Sequence, residues 1–303
     1  MFAKRIMMKV IFLGTSCMQP TKDRNHTGIL VIHNEEHILL DCGEGVQRQI
    51  KFTDIKLTKI TRLLISHWHG DHILGVPGLM QTLGANEYSR KLRIYGPMGS
   101  KKYMISMLKS FFSRESIHYD LKETKEGRVF ESKNLIVEAL LLDHGINTLG
   151  YSIIEKDRLR VNMAKLKKIG VAEGPHIAKI QEGEDIIYKG KKIEAKDYTT
   201  LVKGKKITYI ADTKLCDNCF KLAQDADLLI CESTYASDLA EKAEKYLHLT
   251  AKDAAFIANR ANSKKLVLTH FSQRYKDTSK ILEDASTYFK DVVCAYDFMK
   301  IKV

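Results

Sequence analysis

The stretch Ser66-His67-Trp68-His69-Gly70-Asp71-His72 decides how this chain is read. It gathers three histidines and one aspartate into the six positions from His67 to His72. His67 and His69 are two apart, so an extended or turning backbone points both imidazoles the same way. Gly70 lets the chain bend sharply. Asp71 and His72 follow as neighbours whose side chains diverge, so one suits a first metal ion and the other a second. Imidazole and carboxylate without thiolate suit zinc, or manganese where carboxylate and water dominate.

The residues on either side repeat one arrangement. Leu63-Leu64-Ile65 runs into this stretch. Leu135-Ile136-Val137 with Ala139-Leu140-Leu141-Leu142 reaches Asp143-His144. Ile207-Thr208-Tyr209-Ile210 reaches Asp212, Leu228-Leu229-Ile230 reaches Glu232, and Leu266-Val267-Leu268 reaches His270. Short apolar runs of this kind predict strands. Each reactive side chain then stands at a strand end, on a loop held by a rigid sheet. Earlier, Val10 to Leu13 ends at Gly14, and Ile29 to Ile32 with Ile38 to Leu40 flank His33-Asn34-Glu35-Glu36 as a hairpin. Helical spacing runs through Ile73 to Leu83, Lys101 to Phe112, Ala251 to Ala261 and Lys276 to Phe289. The alternation predicts an α/β fold. His144, Asp212 and His270 raise the candidate ligands to five histidines and two aspartates. Two four-coordinate ions sharing one carboxylate need that number of protein ligands, and the count closes if Asp212 bridges.

The segment from Glu155 to Lys206 is different. It carries fourteen Lys and Arg against eight Asp and Glu, a net of +6, half of the chain's +12. Gly170 and Gly174-Pro175 punctuate it. It reads as an inserted basic arm over 155–206 with a short helix near Val161 to Ile169, within a single domain spanning 1–303. The chain has 303 residues, 44% hydrophobic and 28% charged, which excludes a disordered or membrane-spanning class. The excess of positive charge suits a polyanionic partner such as nucleic acid. Six cysteines are too sparse for a disulfide scaffold. With no apolar signal core near Met1 to Val10, the expected location is the cytoplasm. Cys216-x-x-Cys219 lacks the second pair that a structural zinc needs, so it reads as a plain surface loop. The remaining cysteines read as small buried hydrophobes.

The pattern His67-x-His69-x-Asp71-His72 with His144, Asp212 and His270 resembles the metallo-β-lactamase superfamily. Further motifs are similar to those of its ribonuclease Z branch, the tRNA 3′-processing endonucleases. Pro20-Thr21-Lys22-Asp23-Arg24-Asn25 looks like that family's P-x-K-x-R-N loop. Leu39-Leu40-Asp41-Cys42-Gly43-Glu44-Gly45 resembles its early L-x-D-x-G-E-G segment, and Thr269-His270-Phe271-Ser272-x-Arg274-Tyr275 its last ligand motif. Glu232-Ser233-Thr234 matches the loop called HEAT, with Cys231 in place of the first His. His248-Leu249-Thr250 matches the loop called HST, with Leu249 in place of Ser. Ser16-Cys17-Met18-Gln19, just before Pro20, is left without a family counterpart in this reading.

This resemblance, covering Val10 to about Ile301, implies a four-layer αββα sandwich and two zinc ions, with manganese as a substitute. His67, His69 and His144 would hold one ion, Asp71, His72 and His270 the other, and Asp212 both. Asp71 would also orient the attacking water or take its proton. His248 would be the general acid, with Glu232 fixing its tautomer. Lys22, Arg24, Asn25, Thr250, Arg274 and the arm's Gly174 and Pro175 would touch substrate. The implied partners are precursor tRNA and a second copy in a homodimer, with no membrane. Two other classes share parts of this pattern. One is a small-molecule hydrolase such as a cyclic-nucleotide phosphodiesterase, lactonase or thioesterase, and the other is a non-catalytic RNA-binding protein.

Overall fold

The computed structural model describes residues 7–111 and 117–303. The reading of the first residues as lacking a signal core, and the expected helix end at Phe112, fall partly outside these. Two mixed sheets of seven strands each form the body. Strands of the first sheet follow the order Lys300–Lys302, Lys9–Gly14, Gly28–His33, Glu36–Leu40, Arg62–Leu64, Leu92–Gly96 and Tyr119–Glu123. The second runs Val292–Cys294, Leu266–Thr269, Leu228–Glu232, Lys206–Ile210, Asn147–Glu155, Leu135–Asp143 and Gly127–Glu131.

The central strands read as unbroken apolar runs because both of their faces are covered, whereas edge strands such as Tyr119–Glu123 and Gly127–Glu131 are largely polar and exposed. Val10 and Phe12 face the second sheet, where they share a core with Tyr151, Ile153, Ile207 and Tyr209. Ile11 and Leu13, one step out of phase, meet the helical layer through Val46, Ile50, Leu79 and Leu83. Helices Asp217–Ala223 and Ala251–Arg260 cover the far face of the second sheet. The result is the expected four-layer αββα sandwich.

Strand direction, more than layering, positions the reactive residues. Lys206–Ile210, Leu228–Glu232, Leu266–Thr269 and Val292–Cys294 are parallel neighbours. Leu135–Asp143 is two antiparallel steps from Lys206–Ile210, so it points the same way. All of these strands therefore deliver their C-terminal residues to one edge of the second sheet. In the first sheet, Arg62–Leu64 runs parallel to Glu36–Leu40 and leads into the His67 stretch.

Several elements differ from expectation. The helix predicted over Ile73 to Leu83 is split into Gly70–Ile73 and Val76–Ala85. At the break Gly75 N donates to the Cys42 carbonyl at 2.9 Å, and the segments lie so close that a Cβ on Gly75 would stand 2.0 Å from the Gly43 carbonyl oxygen. The helix predicted over Lys276 to Phe289 is shortened to Ser279–Ser286, with the Asp277 carboxylate accepting from Ser279 N at its start. The arm is a folded unit with more structure than one short helix. It holds the ribbons Arg158–Val161 with Thr199–Val202 and Ile186–Tyr188 with Lys191–Ile193, and helices Met163–Lys168, His176–Gln181 and Ala195–Tyr198. Leu166, Val171, Ile180, Ile186, Ile193 and Ala195 form its own core. These apolar residues come in ones and twos between polar residues, so no long run announces them. The Cys216 to Cys219 segment is no surface loop: Cys219 is fully buried within the helix Asp217–Ala223.

Candidate metal centre

Chain segments from both sheets converge on one point. His67 and His69 follow the strand Arg62–Leu64, and Asp71 and His72 lie in the short helix Gly70–Ile73. His144, Asp212 and His270 follow strands of the second sheet. Donor atoms of His67, His69, His144 and Asp212 lie within 4.8 Å of one another, and so do those of Asp71, His72, Asp212 and His270. Asp71 and His72 share one group, against the expectation that these neighbours serve different ions, while Asp212 belongs to both groups.

The contacts between ring nitrogens test whether metal ions fit. His67 Nε2 stands 3.1 Å from His69 Nδ1, and His144 Nε2 stands 3.2 Å from the same His69 Nδ1. His72 Nε2 is 3.2 Å from His270 Nε2. Nitrogens held about 2.0–2.1 Å from one tetrahedral zinc are roughly 3.3 Å apart, so these rings already sit at ligand spacing. Asp212 Oδ2 lies 3.7 Å from both His67 Nε2 and His144 Nε2 and 3.4 Å from His72 Nε2, while its Oδ1 lies 3.4 Å from His270 Nε2. Asp71 Oδ1 and Asp212 Oδ1 are buried without a hydrogen-bond partner. Buried carboxylate oxygens without partners are costly unless a cation answers them. The donor set, its spacing and these orphaned oxygens all fit two divalent ions.

The electrostatics agree. Burial holds His67 and His69 below the ordinary histidine value, which leaves neutral rings with a lone pair for a metal. Burial alone would also lower His72, but the carboxylates of Asp212, Asp71 and Asp41 push it up instead. That local demand for positive charge is one a divalent cation meets. Burial works against the charge on Asp71 and Asp212 too. Next in weight, His72 beside Asp71 and His270 beside Asp212 hold these carboxyls well below the usual range.

A second layer of contacts fixes the ligands. Asp41 Oδ2 accepts from His72 Nδ1 at 2.8 Å, from Tyr209 Oη at 2.8 Å and from Ser66 Oγ at 2.7 Å. Asp41 Oδ1 accepts from Ser66 N at 2.7 Å. Asp41 thus orients the imidazole of one candidate ligand, His72, and the backbone before another, His67. Its place in the L-x-D-x-G-E-G segment gave it no such task. Asp41 and His270 adopt φ of 56° and 63°, a left-handed backbone that a non-glycine residue seldom takes. Such backbone strain clusters at functional sites.

Known proteins share this arrangement of chain. Residues 8–291 match a family model described as anti-Pycsar protein Apyc1. The chain is 40% identical to ribonuclease Z of Listeria monocytogenes over 304 residues, covering 98% of this chain and 99% of that one. It is 35% identical to ribonuclease Z of Methanosarcina mazei over 302 residues, with 98% of each chain covered. The chain belongs to the ribonuclease Z family. The crystal structure of human tRNase Z, short form (ELAC1), superposes with a TM-score of 0.71 at 28% identity, covering 97% of this chain and 98% of that one.

The ribonuclease Z loops around Glu232 can be read in detail. Glu232 ends its strand fully buried. Its Oε1 accepts from His248 Nδ1 at 2.9 Å, Thr213 N at 3.0 Å and Leu249 N at 3.1 Å. Its Oε2 accepts from Thr234 Oγ1 at 2.7 Å and Thr234 N at 3.2 Å. Burial opposes a charge on His248, but Glu232 and its hydrogen bond prevail and raise the imidazole to about 9. The two departures from the family loops leave this network standing. Leu249 contributes through its backbone, and Cys231 packs in the core. Thr234, whose hydroxyl also lies 3.0 Å from His270 Nδ1, ties the Glu232 loop to a candidate ligand. No spacing rule had given it that place.

The expected substrate contacts separate into two sets. Lys22 and Arg274 are exposed, and Gly174 and Pro175 precede the helix His176–Gln181 in the arm. Arg24, Asn25 and Thr250 also make hydrogen bonds within the chain. Arg24 is buried, its Nη2 donating to the carbonyls of Ser272 and Tyr275. Asn25 Nδ2 donates to the Glu44 carbonyl at 2.8 Å. Thr250 Oγ1 caps the helix Ala251–Arg260, accepting from Asp253 N at 3.1 Å and donating to Asp253 Oδ2 at 2.6 Å.

Proposed function

We propose that this chain is a metal-dependent endoribonuclease that removes the 3′ trailer from precursor tRNA. It cuts after the discriminator nucleotide, leaving a 3′ hydroxyl on the tRNA and a 5′ phosphate on the trailer. The observation that carries this reading is the pair of donor clusters sharing Asp212 in a chain 40% identical, end to end, to a ribonuclease Z. His67, His69 and His144 would hold one zinc, Asp71, His72 and His270 the other, and Asp212 both, with manganese as a substitute. When bound, two such ions neutralise the scissile phosphate and lower the pKa of a water.

The chain's own residues supply the rest. Asp71, with an unpartnered Oδ1, orients the attacking water or takes its proton. His248 is the general acid for the departing 3′ oxygen. Its raised pKa keeps it protonated at neutral pH, and the Glu232 bond to Nδ1 leaves the Nε2 proton to be given. Lys22 and Arg274 offer exposed charge for phosphates, and the arm grips the tRNA away from the cut by its backbone and shape. With a precursor tRNA as substrate a cytoplasmic location is the one we infer, and the likeness in length to the short-form human enzyme favours a homodimer.

The test is incubation of the purified chain with a 3′-extended precursor tRNA and zinc or manganese. Cleavage leaving a 3′ hydroxyl supports the reading, while a 3′ phosphate or an intact precursor contradicts it. A second reading, a hydrolase of small phosphodiesters, rests on the match of residues 8–291 to a family of another name. Turnover of bis(p-nitrophenyl) phosphate with an intact precursor would favour it.

A further inference from the structure

Cys216 and Cys219 bring two sulfurs to 3.5 Å at the start of the helix Asp217–Ala223. Neither belongs to a group of donors able to hold a metal among the described residues, so the pair is not half of a zinc site. Cys216 takes an extended backbone, with φ −146° and ψ 163°, and Cys219 N donates to its carbonyl at 3.0 Å. Residues three apart across a helical turn direct their side chains to one side. The two thiols differ in access. Cys216 is half-buried, flanked by exposed Leu215 and Asp217, whereas Cys219 is fully buried behind it. One sulfur can be reached from solvent and the other can reach only the first.

We propose that Cys216 and Cys219 form a redox modification site: a low-molecular-weight disulfide converts them into an intrachain disulfide, and a low-molecular-weight thiol reverses the change. The Cys216 thiolate attacks one sulfur of the external disulfide, forming a mixed disulfide and expelling the first thiolate. Cys219 then gives up its proton and attacks Cys216 Sγ, breaking the mixed bond and expelling the second. Two protein thiols are oxidised, and the external disulfide is reduced to two thiols. The division of labour matches the local electrostatics. The Cys219 hydrogen bond outweighs burial and holds the Cys216 thiol down at about 6, while that same bond and burial push Cys219 far up.

The pair is tied to the metal centre. Thr213 follows Asp212, and its hydroxyl lies 3.9 Å from Cys216 Sγ and donates to the carbonyls of Lys214 and Asp143. Thr213 N donates to Glu232 Oε1 at 3.0 Å. Closing the sulfurs to a bond of about 2.05 Å moves them together by roughly 1.5 Å. The segment from Thr213 to Cys216 takes up that movement, so oxidation slows hydrolysis at the metal centre. This inference does not depend on tRNA as the substrate.

The full chain, loaded with zinc, is treated with oxidised glutathione, quenched in acid, labelled with N-ethylmaleimide and analysed by peptide mass spectrometry. The expected peptide carries Cys216 and Cys219 unlabelled and lighter by two hydrogens, with both labels restored after dithiothreitol. Cys219→Ser is expected to stop at a glutathione adduct on Cys216, and Cys216→Ser to leave Cys219 unmodified. Full labelling of both cysteines after oxidation, or equally fast adduct formation on Cys219 in Cys216→Ser, overturns the site. Oxidation should also slow wild-type hydrolysis of bis(p-nitrophenyl) phosphate by about threefold or more, within the range of local coupling energies, while leaving Cys216→Ser unchanged. An unchanged wild-type rate, or an equal loss in both, overturns the link to the metal centre.

Discussion

Glu232 shows how much of this site rests on single side chains. Five hydrogen bonds converge on one buried carboxylate, and one of them comes from His248. If His248 delivers the proton to the leaving oxygen, His248→Ala should slow precursor cleavage about 10²–10⁴-fold with bound metal unchanged. The loss should be far smaller with p-nitrophenyl leaving groups, which depart without a proton. A matched loss on both substrates would assign His248 a structural task. The raised pKa sets the sign of the pH effect. The acid is present below about 9 and disappears as pH rises through that value, so kcat on precursor tRNA should fall on the alkaline side. Asp212→Ala removes the residue common to both donor groups. It should abolish turnover and reduce metal below one ion per chain by elemental analysis. Metal content near wild type with activity lost would deny Asp212 the bridging place.

Elements show where a sequence is readable and where it is not. Strand ends are legible because both sheet faces are buried, so each strand is an apolar run that stops where polar chemistry begins. His67, His144, Asp212, Glu232 and His270 stand out that way. Asp41 has the same placement, after the strand Glu36–Leu40, yet its partners Ser66, His72 and Tyr209 are scattered over the chain and no spacing links them. Arg24 has structural partners that its polar loop does not announce, because tertiary packing turns its guanidinium onto two carbonyls distant in sequence. The early glycine segment has a clear mechanical role. Gly43 packs on the metal loop so closely that a Cβ there would stand 2.2 Å from the Asp71 carbonyl oxygen. Cys42 N donates to the His72 carbonyl at 2.7 Å, and Gly75 N donates to the Cys42 carbonyl at 2.9 Å. Gly43→Ala should therefore cost about 1–3 kcal/mol of stability, as overpacking does, and weaken metal retention. An unchanged Tm and metal content would show that the loop yields easily.

At the scale of the whole molecule, the proposed chemistry and the proposed grip on tRNA rest on separate apolar clusters. The arm's apolar cluster is distinct from the two clusters of the sandwich, so removing it leaves their packing intact. Deleting Arg160 to Thr200 should impair cleavage of precursor tRNA while sparing bis(p-nitrophenyl) phosphate. It should also flatten the dependence of kcat/KM on salt, because fewer phosphate contacts release fewer counterions. Equal loss on both substrates would place the arm's role in stability rather than in tRNA binding. The arm's composition foretells its charge but not its internal core, since apolar residues scattered in ones and twos leave no periodic trace.

The proposed chemistry turns on seven side chains holding two cations. Anomalous diffraction at the zinc edge, from crystals grown with the metal, measures that directly. The account predicts two peaks per chain, one among His67, His69, His144 and Asp212 and one among Asp71, His72, His270 and Asp212, each about 2.0–2.2 Å from its donors. A single peak, or none between these residues, would contradict it.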